Sequence, residues 1–521
     1  MPAPAELPTM VSDIAPDIVL TTLNARYVHA ALGLRYLAAN MGDLQPRTRI
    51  VEFVLGQRAF EIVEDLLALN PRIIGIGVYI WNVDECTRVV VLLKKIAPHV
   101  TVVLGGPEVS HETNEQRICA LADHVITGWG DVTFPKLAAQ IINGEAPPAK
   151  IIPGEQPPLS QLTLPYSQYT DGDIARRFIY VEASRGCPFK CEFCLSALDK
   201  TAWPFVLDAF MAELEKLYNR GARNFRFVDR TFNLKVAASQ RILEFFLARM
   251  DGNLFLHFEL IPDHLPEKLK ETILKFPLGA LHFEIGIQTF NPEVQARISR
   301  RQDDAEAEKN IRWLREVSPA LIHVDLIAGL PGEDLASFGR GFDRLHAMKP
   351  HEIQVGILKR LRGAPIDRHT GTHQLRYNPD APYNVLATDC ISFNDMQRVS
   401  RFARFWDLVG NSGRFRQALP LLLGEAPFEH FMRFADWLYA RTHKTHEFAF
   451  ERLCEFMHVY LSEVLCVNAA EAAAAVVADY EASGARGRLA FMDSGVRPDG
   501  THNRDSATAR ARMRQARHIT A

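Results

Sequence analysis

The sequence predicts an α/β protein in three parts. These are an N-terminal doubly wound (Rossmann-like) parallel sheet, a central partial (β/α)6 barrel and a C-terminal helical domain. Three observations lead there. Short, apolar, β-branched runs alternate with amphipathic segments in two successive series, the pattern of parallel sheets covered on both faces. A proline-rich stretch, `APPAKIIPGEQPPLSQLTLP`, separates the two series. Past Asn378 the strand signal fades and aromatic-rich helical patterns take over.

In the first series `DIVLTTL` (17–23), `TRIVEFV` (48–54), `RIIGIGVYI` (72–80), `VTVVLGG` (100–106) and `HVIT` (124–127) read as five buried strands. Segments such as `ALGLRYLAANM` and `CTRVVVLLKKIA` supply the helices between them. The expected first domain spans residues 1–150 and the linker 151–176. The second series is `FIYVEAS` (178–184), `RNFRFVD` (223–229), `LFLHFEL` (254–260), `ALHFEIGI` (280–287), `LIHVDLIAGL` (321–330) and `EIQVGIL` (352–358). Six β/α units make an open barrel over residues 177–375, short of the full eight. `LKRLRGAPI` (358–366) follows its last strand and is placed to cover the site. Helices such as `RFARFWDLVGNSGRF` and `FMRFADWLYARTH` form the third domain, 376–482. From Arg486 onward eight arginines face three aspartates, so 483–521 is expected to be flexible, either a solvated tail or a contact for an anionic partner.

The 521 residues are 47% hydrophobic and 23% charged, with 59 Lys and Arg against 62 Asp and Glu. That balance fits neither a nucleic-acid-binding chain nor a disordered acidic one. No apolar run reaches a membrane span, and the opening `MPAPAELPTMVSDIAP` lacks a basic segment followed by an apolar one, so a cytoplasmic protein without membrane contact is expected. Eight cysteines in a chain this long do not form a disulfide framework.

Three of those cysteines crowd into `VEASRGCPFKCEFC`, at Cys187, Cys191 and Cys194. Zinc sites usually draw four ligands from two separated pairs, and no second pair is present: Cys86, Cys119, Cys390, Cys454 and Cys466 stand alone. Three thiolates on a loop after a strand can hold three irons of a 4Fe–4S cube, leaving the fourth iron open to another ligand.

This spacing, with Phe193 just before the last cysteine, resembles the signature of the radical S-adenosylmethionine enzymes. The resemblance implies a 4Fe–4S cluster whose open iron chelates S-adenosylmethionine and whose electron cleaves it to methionine and a 5′-deoxyadenosyl radical. It also implies an electron donor such as flavodoxin or ferredoxin. Further candidate cofactor contacts follow at the strand ends. Asp229 in `FVDRTFN` stands where many relatives have a Gly-Gly-Glu turn that holds the cofactor's amino group. Glu259, Glu284, Gln288, Arg300 and Asp325 form a series that resembles the coproporphyrinogen-dehydrogenase-like branch. There Glu, Gln and Asp contact the ribose and methionyl parts, and Arg pairs with the carboxylate.

A doubly wound domain ahead of such a barrel resembles the cobalamin-binding domain of cobalamin-dependent members. Its candidate contacts lie at strand ends, where open α/β sheets bind ligands: Tyr79 in `GVYIWN`, Gly105 and Gly106 in `LGGPEVS`, and Gly128 and Gly130 in `TGWGD`. The Asp-x-His-x-x-Gly element that supplies a lower cobalt ligand is absent, and His29 in `NARYVHAALG` is expected to be a polar neighbour of the cofactor, not a ligand. The resemblance implies methylation of an unactivated centre of an unknown substrate, with cobalamin as methyl carrier. Alternatives are a cobalamin-dependent cyclisation or rearrangement without net methylation, and a non-catalytic cobalamin or cluster sensor. A methylthiotransferase would normally carry a second cysteine trio upstream, where only Cys86 and Cys119 precede residue 187.

Overall fold

The structure is a computed structural model that describes residues 15–145, 149–199, 201–485, 487–491 and residues 514, 517 and 518. Most of the Arg-rich segment expected to be flexible therefore lies outside the described residues. The first domain is a parallel sheet of six strands, one more than the sequence predicts. They are β1 (Ile18–Asn24), β2 (Thr48–Val54), β3 (Ile73–Gly77), β4 (Thr101–Gly105), β5 (His124–Thr127) and β6 (Ile151–Pro153), in the order β2-β1-β3-β4-β5-β6. The reversal of order beside β1 is the doubly wound arrangement. Every residue of β1 is buried, as its central place requires. The added strand β6 comes from the proline-rich linker, because a short `IIP` run pairs with the otherwise bare edge of β5. Separate apolar clusters fill the two faces of the sheet, Val19, Ile74 and Val102 on one side and Leu20, Ile73 and Val103 on the other.

Strand β3 is shorter than its apolar run. At Val78 the chain leaves the sheet, and the buried Asn82 holds the departing turn: its Oδ1 accepts from the Tyr79 amide at 2.8 Å and its Nδ2 donates to Leu23 O at 3.0 Å.

The barrel begins with β7 (Ile179–Val181). A small antiparallel hairpin, β8 (Ser184–Gly186) with β9 (Ala202–Pro204), then brackets the cysteine loop. Strands β10 (Asn224–Phe227), β11 (Phe255–Leu260), β12 (Leu281–Gln288), β13 (Leu321–Ala328) and β14 (Glu352–Ile357) follow in simple succession, all parallel. Sheet order equals chain order, so the six strands curve into a barrel left open between β14 and β7. Burial alternates along β12 and β13. One set of side chains packs outward on helices, and the other, including Glu284, Gln288, His323 and Asp325, faces inward and is polar. A two-stranded ribbon, β15 (Arg376–Tyr377) with β16 (Val385–Ala387), opens the last part of the chain. Helices 393–408, 418–423, 427–442, 450–459 and 469–482 complete it. Its apolar core is continuous with that of the barrel: Phe342 lies 4.8 Å from Trp406 and 5.1 Å from Phe402, ring to ring. Among the described residues no helix is long and apolar enough to cross a membrane.

Candidate cluster and cofactor sites

The cysteine loop leaves the C-terminal end of β7, the end of a parallel barrel where ligands bind. Gly186 has φ +84°, and a Cβ there would lie 2.5 Å from Thr201 O, so only glycine lets the hairpin close beneath Cys187. Cys187, Cys191 and Cys194 are all reduced and partly exposed. Burial and the two neighbouring thiols push Cys187 up to about 11. Burial also raises Cys191, while the Arg300 guanidinium, 3.4 Å from its Sγ, works the other way. Among the described residues no three His, Cys, Asp or Glu side chains converge as a single-ion site. A cube asks for something different, one thiolate on each of three irons, and the three half-exposed thiols of this loop suit that demand. Arg300 adds a cation on the rim of the loop, held by Gly286 O and, at 2.7 Å, by Gln302 Oε1.

The other candidate residues line the same mouth. Gln288 sits at a bulge with φ +71°, and its Oε1 is buried without a partner. Asp325 Oδ1 is buried 3.2 Å from His323 Nε2, out of line for a hydrogen bond. The orphaned Gln288 Oε1 fits a polar ligand such as S-adenosylmethionine. Glu284 lies 3.3 Å from His257 Nε2. Burial alone would raise its carboxyl, but the His257 bond and the charges of His323 and Arg230 outweigh it and hold it at about 2. Glu259 accepts twice from Arg230, at 2.8 and 3.1 Å, a partner the sequence did not announce. Phe193, like Leu195, Ile327 and Leu361, packs against the buried cluster that includes Val294, Ile298, Leu330 and Leu358.

Asp229 already accepts two hydrogen bonds. The sequence offered its carboxylate to the amino group of the cofactor, but Oδ2 accepts from the Ala183 amide at 2.9 Å and Oδ1 from the Ser184 hydroxyl at 2.6 Å. Burial pushes it up to about 7. In this structure it pins the root of the cysteine loop.

In the first domain the glycine positions form the rim of the sheet. Gly106 has φ +109°, and a Cβ there would lie 2.5 Å from Val78 O. Beside Gly128, at φ +75°, a Cβ would meet nothing within 4 Å, and at Gly105 only Ile126 O at 3.9 Å. Gly130 approaches Leu37. Tyr79 stacks on Trp81 at 4.4 Å, and that indole is 47% exposed. This open rim beside a flat aromatic pair suits a large planar ligand. His29 is spoken for elsewhere: its Nδ1 shares a 2.6 Å hydrogen bond with the Tyr180 hydroxyl of β7, and burial and the nearby Arg226 hold it at about 4. Cys86 and Cys119 are buried core residues.

Sequence comparison accords with this geometry. Residues 18–138 match the model of the B12 binding domain and residues 181–344 that of the radical SAM superfamily. The fold resembles the structure of the radical S-adenosylmethionine methyltransferase TsrM from Kitasatospora setae with cobalamin and a 4Fe–4S cluster bound. That likeness has a TM-score of 0.60 and 16% identity, and covers 81% of this chain and all of that one. The chain thus joins a B12-binding domain to a radical SAM domain, the pairing that calls for a 4Fe–4S cluster, S-adenosylmethionine and cobalamin. Its third part, residues 371–491, matches a family of unknown function, DUF4080.

Among curated proteins, an uncharacterised methyltransferase of Pyrococcus horikoshii is 29% identical over 228 residues, 39% of this chain and 49% of that one. The cobalamin-dependent radical SAM methyltransferase TokK of Streptomyces tokunonensis is 24% identical over 343 residues, 57% and 48% of the two chains. The chain thus spans about half the length of these two relatives.

Proposed function

We propose that the protein is a cobalamin-dependent radical S-adenosylmethionine methyltransferase acting on an unactivated centre. One arrangement carries this reading. The three-thiol loop at the barrel mouth and the open glycine rim of the cobalamin-binding domain are joined by direct ion pairs, Arg185 of the hairpin reaching Asp131 of the rim at 3.0 Å. When bound, the cluster and S-adenosylmethionine supply the hydrogen-abstracting radical, and cobalamin supplies the methyl group. Cys187, Cys191 and Cys194 would hold the cluster. Arg300, whose planar fork matches a carboxylate, would orient the methionyl end, and Gln288 and Asp325 would take the remaining polar groups. Glu259 lies on the same face, already bonded to Arg230. Phe193 and Ile327 give the side beside β14 an apolar wall. A cleft of about 700 Å³ opens there, bounded by Phe193, Gln354, Gly356, Leu358, Lys359 and Arg404, and is the proposed place of the substrate.

The test is anaerobic purification with cobalamin supplied, then measurement of iron, sulfide and corrinoid per chain in the native protein and in the Cys187→Ala/Cys191→Ala/Cys194→Ala variant. About four irons with stoichiometric corrinoid, and loss of iron alone in the variant, support the reading. A full cluster without corrinoid removes the methyl-carrier step. Corrinoid and cluster without 5′-deoxyadenosine under reducing conditions point to a sensor. Turnover without methyl transfer from labelled S-adenosylmethionine points to a rearrangement.

A further inference from the structure

The cysteine loop is bridged to the rim of the cobalamin-binding domain from both of its ends. On the entering side, Arg185 stands two residues before Cys187. Its Nε donates to Glu182 Oε1 at 2.8 Å, and its Nη atoms fork onto Asp131 at 3.0 and 3.2 Å. Asp131 closes the `TGWGD` loop after β5. The guanidinium also lies over the rings of Tyr36 and Trp129, at 4.2 and 4.9 Å from their centroids, so its position is fixed by packing as well as charge.

On the far side the link runs through a strap, residues 358–369. Glu192, inside the cysteine motif and buried, accepts from Arg368 Nε at 2.8 Å and lies 2.8 Å from His369 Nε2. Its carbonyl accepts the Ile366 amide at 2.9 Å, and its own amide donates to Ile298 O at 3.0 Å. A few residues earlier the same strap grips the loop after β4. Arg362 reaches Glu108 at 3.0 Å and Glu112 at 2.6 Å, Arg360 reaches Glu112 at 2.9 Å, and the Tyr383 hydroxyl donates to Glu108 at 2.9 Å. Gly363, at φ +82°, lies so close to the His111 ring that a Cβ would come within 2.3 Å of it. Glu108 and Glu112 follow Gly105 and Gly106 on the glycine rim.

We infer that Arg185, Glu192 and Arg362 are positioning residues that make the cluster loop and the two glycine loops one mechanical unit, so that occupation of either cofactor site changes affinity at the other. The inference rests on the reading that these loops hold the cluster and cobalamin. Ion pairs made to the buried carboxylates of Glu108, Asp131 and Glu192 favour one geometry, so a loop that moves at one end must move or break at the other. Coupling of this kind is reciprocal: the factor by which the cluster alters cobalamin affinity equals the factor by which cobalamin alters cluster affinity.

The test uses the full chain in two states. In the cofactor-free protein, hydrogen exchange is followed by mass spectrometry for Arg362→Met and for the milder Glu112→Gln, whose side chain is 22% exposed. Both changes lie outside the cysteine motif, yet exchange in peptides covering 186–199 is expected to quicken at least about fivefold, the lower end of typical couplings. Arg362→Lys, which keeps the charge, is expected to recover part of the protection. In a second arm, hydroxocobalamin affinity is measured with and without a reconstituted cluster. The ratio is expected to be about fivefold or more in the native chain and to collapse toward one in Arg362→Met. Faster exchange confined to 105–113 and 358–364 would overturn the inference, as would a native ratio of one. Failure of the native chain to bind hydroxocobalamin would instead remove the cobalamin reading, while the exchange arm would still decide whether the loops move together.

Discussion

Replacing His323 with Gln tests the polar interior on which the proposed S-adenosylmethionine site stands. His323 Nε2 lies 3.2 Å from Asp325 Oδ1, and Nδ1 lies 3.4 Å from Glu352 Oε2. Burial opposes a charge on the ring, but the two carboxylates outweigh it and raise its pKa from 6.5 to about 10. A difference of that size is worth at most about 5 kcal/mol. Asp325, itself raised by burial, gives part of this back, and Arg514 stays on Glu352 at 2.8 Å, so the net contribution is about 2–3 kcal/mol. Because the folded pKa lies above the unfolded one, that stability is present in full below pH 6.5 and is lost as pH rises through about 10. Melting of the cofactor-free chain is followed by calorimetry across this range. Near pH 6 the His323→Gln protein should melt about 2–5 °C below the native chain. The gap should close by about pH 10.5, where native His323 has lost its proton. Ordinary alkaline titration of Lys and Tyr affects both proteins alike and drops out of the difference. A gap that stays constant over the range would mean that His323 is neutral in the fold and that Asp325 is held by something else.

Two further substitutions probe the cofactor pockets separately. In Gly286→Ala the new Cβ would fall 2.3 Å from Gln288 Nε2, the movable end of that side chain, so the amide must swing out of place. Loss of one hydrogen bond should weaken S-adenosylmethionine binding to the reconstituted protein about 3- to 10-fold by calorimetric titration, with Gln288→Ala giving a similar loss; native affinity in both variants would remove Gln288 from the site. In Gly106→Ala an alanine is forced to φ +109° with its Cβ 2.5 Å from Val78 O. The first domain should lose about 1–3 kcal/mol and bind hydroxocobalamin less well; native hydroxocobalamin affinity would remove Gly106 from the cobalamin site.

The strands and the cysteine trio were legible because each is written locally. Period-two burial and apolar runs within a few residues mark β1 through β5 and all six barrel strands, and the thiols lie within eight residues of one another. The features that stay illegible are those whose meaning depends on a distant partner. Asp229 ends a strand, as a cofactor-binding acid should, and nothing near it in sequence says that Ala183 and Ser184, about 45 residues earlier, claim both of its oxygens. Arg362 and Glu108 are 254 residues apart, and neither carries a periodicity that would pair them. Of the C-terminal arginines, expected to be solvated or to meet an anionic partner, Arg514 meets Glu352 and Asp407 of its own chain. Glu192 was the nearest thing to a visible signal. A charged residue between two cysteines of the motif is unremarkable on an exposed loop, but here its carboxylate is buried and anchors the motif to the strap. The identity of the chemistry is thus carried by short spacings, whereas the relative placement of the two cofactor sites is carried by a few long-range charges, and those are the residues whose substitution should separate binding from coupling.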